Sequence, residues 1–132
     1  GRVRVEYDLT PDGDLDVLFA PEWNLSFVTP EKKWVSFHVD DAEGSGLRKK
    51  VTLDGVGAMR VDDRLRGERL SISCEPAAGV WTWPLDTASR SEGGLERVFQ
   101  GLTLITHWPV KARRHERVSL AVEFAFSPLS AE

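Results

Sequence analysis

Apolar and polar residues alternate with a period of two along most of this 132-residue chain. In the segment from Arg2 to Leu9, three aliphatic side chains and a tyrosine fall on one side and charged side chains on the other. The longest clean alternation covers residues 118–126. Successive side chains of a β-strand point to opposite faces, so this pattern predicts half-buried strands. No segment keeps the 3.6-residue period of a helix.

Turn-forming residues separate the alternating segments. Thr-Pro-Asp-Gly at residues 10–13 contains the Asp-Gly hairpin signal, and polar turns follow at residues 40–46 and 62–67. The signals recur roughly every 8–12 residues, which is typical of a β-sandwich with, here, about ten strands. We therefore expect an all-β fold, a single antiparallel β-sandwich domain over residues 1–132. Because the chain begins directly in a strand pattern, we also expect this domain to be part of a longer protein.

The charge balance disfavours nucleic acid as a partner. The chain has 17 basic and 21 acidic residues and a net charge of −4, whereas phosphate binding needs a clustered positive surface. The basic runs at residues 48–50 and 111–114 are bounded by turn residues and are interpreted as solvated loops. We expect no signal peptide, and no run of apolar residues reaches the ~20 that a membrane span needs. We expect no membrane partner and a cytoplasmic location.

The sequence also disfavours a metal site. Cys74 is the only cysteine, so an internal disulfide and a cysteine zinc site are excluded, and its strand pattern favours a buried thiol. The Asp-Gly-Asp-Leu-Asp run at residues 12–16 is similar to a calcium loop. However, Val17 stands where the loop needs glycine and Trp23 where it needs glutamate. A hairpin turn is the favoured interpretation, and we expect no metal and no cofactor.

Residues 79–101 place many polar side chains beside two tryptophans. Trp81 and Trp83 share one strand face, Pro84 indicates a strand edge or end, and Gly93 and Gly94 indicate a turn. Flat rings beside hydrogen-bonding groups are suited to holding a sugar. The candidate ligand-binding residues are Trp81, Trp83, Thr87, Ser89, Ser91, Glu92, Glu96 and Gln100.

Structural interpretations compete with this binding hypothesis and are ranked above it. The two tryptophans fit a hydrophobic core, because aromatic side chains dominate core burial. Residues 87–96 fit a structural loop in which the glutamates pair with Arg90 and Arg97, or an interdomain contact. The sequence alone leaves open whether Trp81 and Trp83 are buried.

The run Ser91-Glu-Gly-Gly-Leu-Glu-Arg-Val-Phe-Gln-Gly101 resembles part of a known family. The family is the α-amylase/4-α-glucanotransferase group of glycoside hydrolase family 57, in its C-terminal β-sandwich region. Weaker similarity lies at residues 21–26 and 102–108. The resemblance implies a galactose-mutarotase-like sandwich, which is usually longer than this chain. The domain is then either a trimmed form or a part of one.

The resemblance implies an accessory domain, because the family's two catalytic carboxylates belong to an N-terminal barrel that this sequence does not contain. The expected function is to stabilise or shape the catalytic barrel of the same chain in an α-glucan-acting enzyme, and we expect no catalytic residue here. A second hypothesis is a carbohydrate-binding module that holds α-glucan or maltooligosaccharide through Trp81 and Trp83.

A third hypothesis is a sugar epimerase of the mutarotase type. Such enzymes use a histidine and a glutamate across a sugar ring. The candidates here would be His38 or His107 with Glu92 or Glu96, although their spacing does not support any pair.

Overall fold

The computed structural model describes residues 1–130, and within that range it contains eight β-strands and no helix. The expected all-β class is confirmed. The strands differ widely in length, from 5 residues in β2 to 24 in β6. They are β1 (Arg2–Leu9), β2 (Leu15–Phe19), β3 (Glu22–Ser26), β4 (Val35–Val39), β5 (Val51–Asp63), β6 (Glu68–Ser91), β7 (Gly94–Ala112) and β8 (Val118–Pro128).

The sequence predicts about ten strands, and this number is wrong because the long strands pass through glycine and proline positions. β5 continues through Gly55, which has a φ of 66°, and its pairing with β6 shifts register on either side of Val56. Such bulges absorb an extra residue without ending a strand. β6 continues through Pro84, which pairs with β7 only, so the missing N–H lies at a strand edge.

Antiparallel hydrogen bonds join the strands into one sheet, in which β6 changes partner halfway. Residues 68–75 of β6 pair with β8, and residues 79–91 pair with β7. We define the first half-sheet as β1, β8, the start of β6, the end of β5 and β4. The second half-sheet contains β2, β3, β7, the end of β6 and the start of β5.

The two half-sheets pack face to face around one hydrophobic core. Trp23 of β3 contacts Phe124 of β8 edge to face, with ring centroids 5.0 Å apart, although these strands are not paired. Val80 and Leu104 from the second half-sheet and Val122 from the first are fully buried. Burying an aliphatic side chain of this kind contributes roughly 1.5–3 kcal/mol. The fold is therefore sandwich-like, as expected.

The ends of β6 and β7 extend beyond this core as a β-hairpin. We call residues 86–99 the projecting hairpin. Every residue from 87 to 98 is exposed, and the turn consists of Glu92 and Gly93, followed by Gly94 with a φ of 117°. The expected loop at residues 87–96 is thus two paired strands. Among the described residues, Glu92 and Glu96 form no salt bridge with Arg90 or Arg97.

Candidate functional site

Trp81 and Trp83 lie on the outer face of the second half-sheet. Their neighbours Val80 and Thr82 point inward and are buried, whereas both tryptophans are half-buried. The register places Trp81 opposite Ile105 and Trp83 opposite Thr103 on β7. Two rings on alternate strand residues are roughly 6.6–7 Å apart. The rings are therefore outside the main core, contrary to the core interpretation. We call this surface the tryptophan face.

Two buried polar side chains of β7 are neighbours of these tryptophans. Thr103 is 2% exposed and donates its hydroxyl to Asn24 Oδ1 at 3.0 Å. His107 is 7% exposed, and its ring centroid lies 4.1 Å from that of Trp81. The buried Nε2 of His107 has no hydrogen-bond partner. A Cβ at Gly79 would lie 2.0 Å from the His107 ring, so only glycine leaves room for the imidazole here.

Most of the predicted polar site residues share the side of β6 that carries the tryptophans. Thr87, Ser89 and Ser91 continue this side along the strand, with Glu96 opposite Ser89. Gln100 is the extra residue of a bulge between Leu85 and Asp86 and donates its Nε2 to Thr87 Oγ1 at 3.2 Å. Glu92 instead lies in the turn.

These residues do not surround a pocket. They follow the flat ribbon of the projecting hairpin away from the core, and Ser91 lies about 26 Å from Trp83 along the strand. Only Thr87 and Gln100 are near enough to the tryptophan face to extend it. The predicted residues therefore form two surfaces, one aromatic and one polar.

The histidine–glutamate pairs of the epimerase hypothesis are not formed. His107 is opposite Gly79, while Glu92 lies in the hairpin turn about 40 Å farther along β6. Glu96 is opposite Ser89 and is about 33 Å from Gly79. No single sugar ring spans such distances.

His38 lies in β4, away from both glutamates, in a buried polar network on the first half-sheet. Its Nε2 lies 2.8 Å from Ser36 Oγ and 3.8 Å from Asp62 Oδ2. Asp62 is 6% exposed and accepts hydrogen bonds from Arg69 at 2.7 and 3.1 Å and from Arg60 at 3.4 Å. Burial alone would raise the pKa of Asp62, but these two arginines outweigh it and hold the pKa below its usual value. Asp62 is therefore an ionised structural group.

A loop arginine missed by the sequence analysis contacts the base of the projecting hairpin. Arg48 Nη1 lies 3.3 Å from Asp86 Oδ2, and the guanidinium carbon is 5.8 Å from the Phe99 ring centroid. Arg48 also borders a broad groove that is lined by Lys49, Lys50 and other residues. The sequence indicates only a solvated basic loop here, because a contact across 38 residues leaves no local pattern.

The described residues also include one thiol. Cys74 is buried, and burial raises its thiol pKa to about 11, so the reactive thiolate is scarce at neutral pH. Within residues 1–130, no group of three or more His, Cys, Asp or Glu residues is placed to hold a metal ion. That part of the chain also has no helix long and apolar enough to cross a membrane.

Comparison with known structures shows where this fold recurs. A 4-alpha-glucanotransferase from Thermococcus litoralis matches with a TM-score of 0.66 and 21% identity, over 92% of this chain and 16% of that chain. HI1317 matches with a TM-score of 0.59 and 14% identity, over 94% of this chain and 51% of the other. Slr1438 from Synechocystis sp. PCC 6803 matches with a TM-score of 0.60 and 13% identity, over 96% of this chain and 51% of the other. At these identities the likeness shows a shared fold.

The sequence comparisons give the family. No match is found among curated proteins. The family model described as alpha-amylase/4-alpha-glucanotransferase, C-terminal, matches residues 1–122, which is most of the chain. This match includes β1 to β7, the first residues of β8 and the whole projecting hairpin. The chain therefore belongs to the alpha-amylase/4-alpha-glucanotransferase C-terminal family.

Proposed function

We propose that this chain is a non-catalytic C-terminal accessory domain of an α-glucan-acting enzyme, similar to α-amylases and 4-α-glucanotransferases, and that it stabilises or shapes the catalytic barrel of the same polypeptide. The observation that carries the proposal is the family match over residues 1–122. The chain spans only 16% of the glucanotransferase that it resembles, which leaves most of such an enzyme outside it.

Three carboxyl groups with shifted pKa values, those of Asp8, Glu43 and Asp62, do not suit the role of a general acid. A general acid in glycoside hydrolysis needs a raised carboxyl pKa. The described carboxyl groups with shifted pKa values are instead shifted downward. A hydrogen bond from Ser119 lowers the pKa of Asp8, and a hydrogen bond from Lys32 lowers that of Glu43. Asp62 is likewise held ionised by arginines.

The test uses the longer polypeptide that carries this chain, with and without residues 1–132. We expect the deletion to lower the melting temperature of the catalytic part or to change its product lengths on maltooligosaccharides. The 132-residue chain alone should neither hydrolyse nor transfer glucan. Unchanged stability and products after the deletion would contradict the accessory role. Glucan turnover by the isolated chain would contradict its non-catalytic nature.

The tryptophan face supports carbohydrate binding as a second candidate function. Trp81 and Trp83 present two half-buried rings on one strand face, beside the Thr103–Asn24 hydrogen bond and the unpartnered Nε2 of His107. Aromatic rings with a few polar groups are suited to an α-glucan or maltooligosaccharide chain. Calorimetric titration with maltoheptaose at millimolar concentration distinguishes this function from a purely structural one.

We further propose a cellular location, a domain extent and a fold form for this chain. A cytoplasmic location agrees with a single buried thiol, Cys74, and is tested by cell fractionation. A single domain over residues 1–132 agrees with one core shared by both half-sheets. A trimmed galactose-mutarotase-like sandwich is the specific fold form that the sequence resemblance implies.

A further inference from the structure

The projecting hairpin continues the core-facing side of the second half-sheet past the end of the core. Thr82 is buried on that side, and the residue pairs Pro84–Leu102 and Asp86–Phe99 follow it, the latter at the base of the hairpin. The next pairs on the same side are Ala88–Arg97 and Arg90–Leu95. We call the surface formed by these last two pairs the inner hairpin face.

No other segment within residues 1–130 covers the inner hairpin face. Arg48 covers its base, where its guanidinium group lies over Phe99 and pairs with Asp86. Beyond that base every side chain is exposed, and Leu95 is 78% exposed. Because an isolated two-stranded hairpin is marginally stable in water, such an extension is expected to lie against another surface.

The chemistry of the inner hairpin face defines what would cover it. Leu95 and Ala88 supply an apolar centre, and Arg90 and Arg97 supply two positive charges. Within the described chain neither arginine forms a salt bridge, and Glu96 lies on the opposite side of the ribbon. A complementary surface is acidic and has an apolar centre. Two arginines on a chain of net charge −4 do not suit a nucleic acid, which needs a clustered positive surface.

The small size of this face points to a partner on the same polypeptide. Free protein partners usually need about 1,200–2,000 Å² of buried surface, far more than two residue pairs provide. A partner joined by the chain itself has a high effective concentration, so a small contact is sufficient. The glucanotransferase with this fold is about six times as long as the matched region, since the match covers 16% of it.

We infer that the inner hairpin face docks on an acidic, apolar-centred surface of the catalytic part of the same enzyme chain. Leu95 is the apolar anchor, and Arg90 and Arg97 form ion pairs around it. The inference rests on the proposed function and assigns its contact to one element. The hairpin then joins the accessory domain to the catalytic barrel.

Hydrogen–deuterium exchange tests this contact. Amides of residues 87–98 should exchange quickly in the 132-residue chain and at least about tenfold more slowly in the longer polypeptide, where docking protects the hairpin. The double variant Arg90→Glu, Arg97→Glu should restore fast exchange in the longer polypeptide. Arg113→Glu, Arg114→Glu is the matched control. It makes the same charge change at exposed positions in the turn after β7 and should leave the protection intact.

Each other outcome overturns the inference in a distinguishable way. Equal hairpin exchange in the two polypeptides, while another surface of the domain is protected, removes the hairpin contact and leaves the accessory function in place. Protection that persists in the Arg90→Glu, Arg97→Glu variant removes the ionic contact. Protection that grows with the concentration of the 132-residue chain shows a second copy as the occupant. Equal exchange at every surface, with no stability loss on deletion, removes both proposals.

Discussion

At the scale of single residues, the buried carboxylate of Asp62 organises the outer side of the first half-sheet. It bridges Arg60 of its own strand and Arg69 of β6. Burying a charge is costly unless partners compensate it, and here two guanidinium groups do so. The network therefore stabilises the pairing of β5 with β6, and loss of the carboxylate leaves two arginines without their shared partner.

We expect Asp62→Asn to lower the free energy of unfolding at pH 7 by about 1–3 kcal/mol, the usual worth of charged hydrogen bonds. Urea unfolding followed by tryptophan fluorescence measures the change. Asp16→Asn is the control, because Asp16 is exposed and forms no salt bridge within the described residues. It should change stability by less than about 0.5 kcal/mol. Equal effects of the two variants would refute a stabilising role for Asp62.

Asp62 also predicts a pH dependence of stability. Burial raises its pKa, but Arg69 and Arg60 outweigh this and lower the folded-state pKa below the unfolded value of about 3.9. The stabilisation is therefore complete above about pH 4 and is lost as the pH falls through the folded value. The urea midpoint of unfolding is measured at pH 7 and at pH 3 for both proteins. Its decrease from pH 7 to pH 3 should be larger for the wild type than for Asp62→Asn. A parallel fall would show that other groups dominate.

At the scale of elements, the approach of β3 to β7 depends on Gly101. A Cβ at this position would lie 2.0 Å from the backbone oxygen of Leu25, and backbone cannot move aside as a side chain can. Gly101→Ala should therefore destabilise the protein by about 1–3 kcal/mol, as overpacking does. Gly13→Ala is the control, since nothing lies within 4 Å of the added methyl group. Thermal melts of both variants make the comparison, and equal melting temperatures would disprove the close contact.

The partial exposure of Trp83 on the tryptophan face leads to a separate prediction about stability and binding. Trp83 is half-buried outside the core, whereas Trp108 is 3% exposed inside it. We expect Trp108→Ala to cost about 3–5 kcal/mol and Trp83→Ala clearly less. Trp83→Ala thus stays folded, and calorimetric titration with maltoheptaose then tests binding. If the wild type binds at millimolar ligand and Trp83→Ala does not, the carbohydrate-binding function is supported. Absence of binding by the wild type would exclude it.

The sequence predicts short strands well and long strands poorly. Period-two alternation places β1 at its observed bounds, and the predicted turn at Gly93 and Gly94 is within one residue of the observed turn at Glu92 and Gly93. The sequence divides β5 at Gly55, because its pattern does not show that a bulge accommodates this glycine within one strand. The strand edge at Pro84, by contrast, is indicated by the proline itself. Alternation also shows that two residues share a face, but it does not show which face is inside when both are partly buried. For this reason the sequence leaves the burial of Trp81 and Trp83 open, and only the structure places them on the outer face.

At the scale of the whole molecule, the long strands couple the two half-sheets. β5 and β6 each contribute to both, so neither half-sheet separates without breaking strands that run through the other. The core is likewise shared, since Trp23 of β3 packs on Phe124 of β8. A structure with one core and continuous strands is expected to unfold as one unit. The projecting hairpin is therefore continuous with the first half-sheet, because β6 pairs with β8 at its start and forms the hairpin at its end.

We therefore expect the 132-residue chain to unfold in a single cooperative transition. Far-ultraviolet circular dichroism should show a β-sheet spectrum, and its melting curve should coincide with that of tryptophan fluorescence and with one calorimetric peak. Two resolved transitions would instead mean that the half-sheets fold separately. Deleting residues 87–98 and joining the strands with Asn-Gly is the matched control. Because this part of the hairpin is exposed and adds nothing to the core, the shortened chain should keep one transition at nearly the same temperature. A large decrease in melting temperature would show that the hairpin stabilises the domain itself. That result would argue against a role of the hairpin in docking alone.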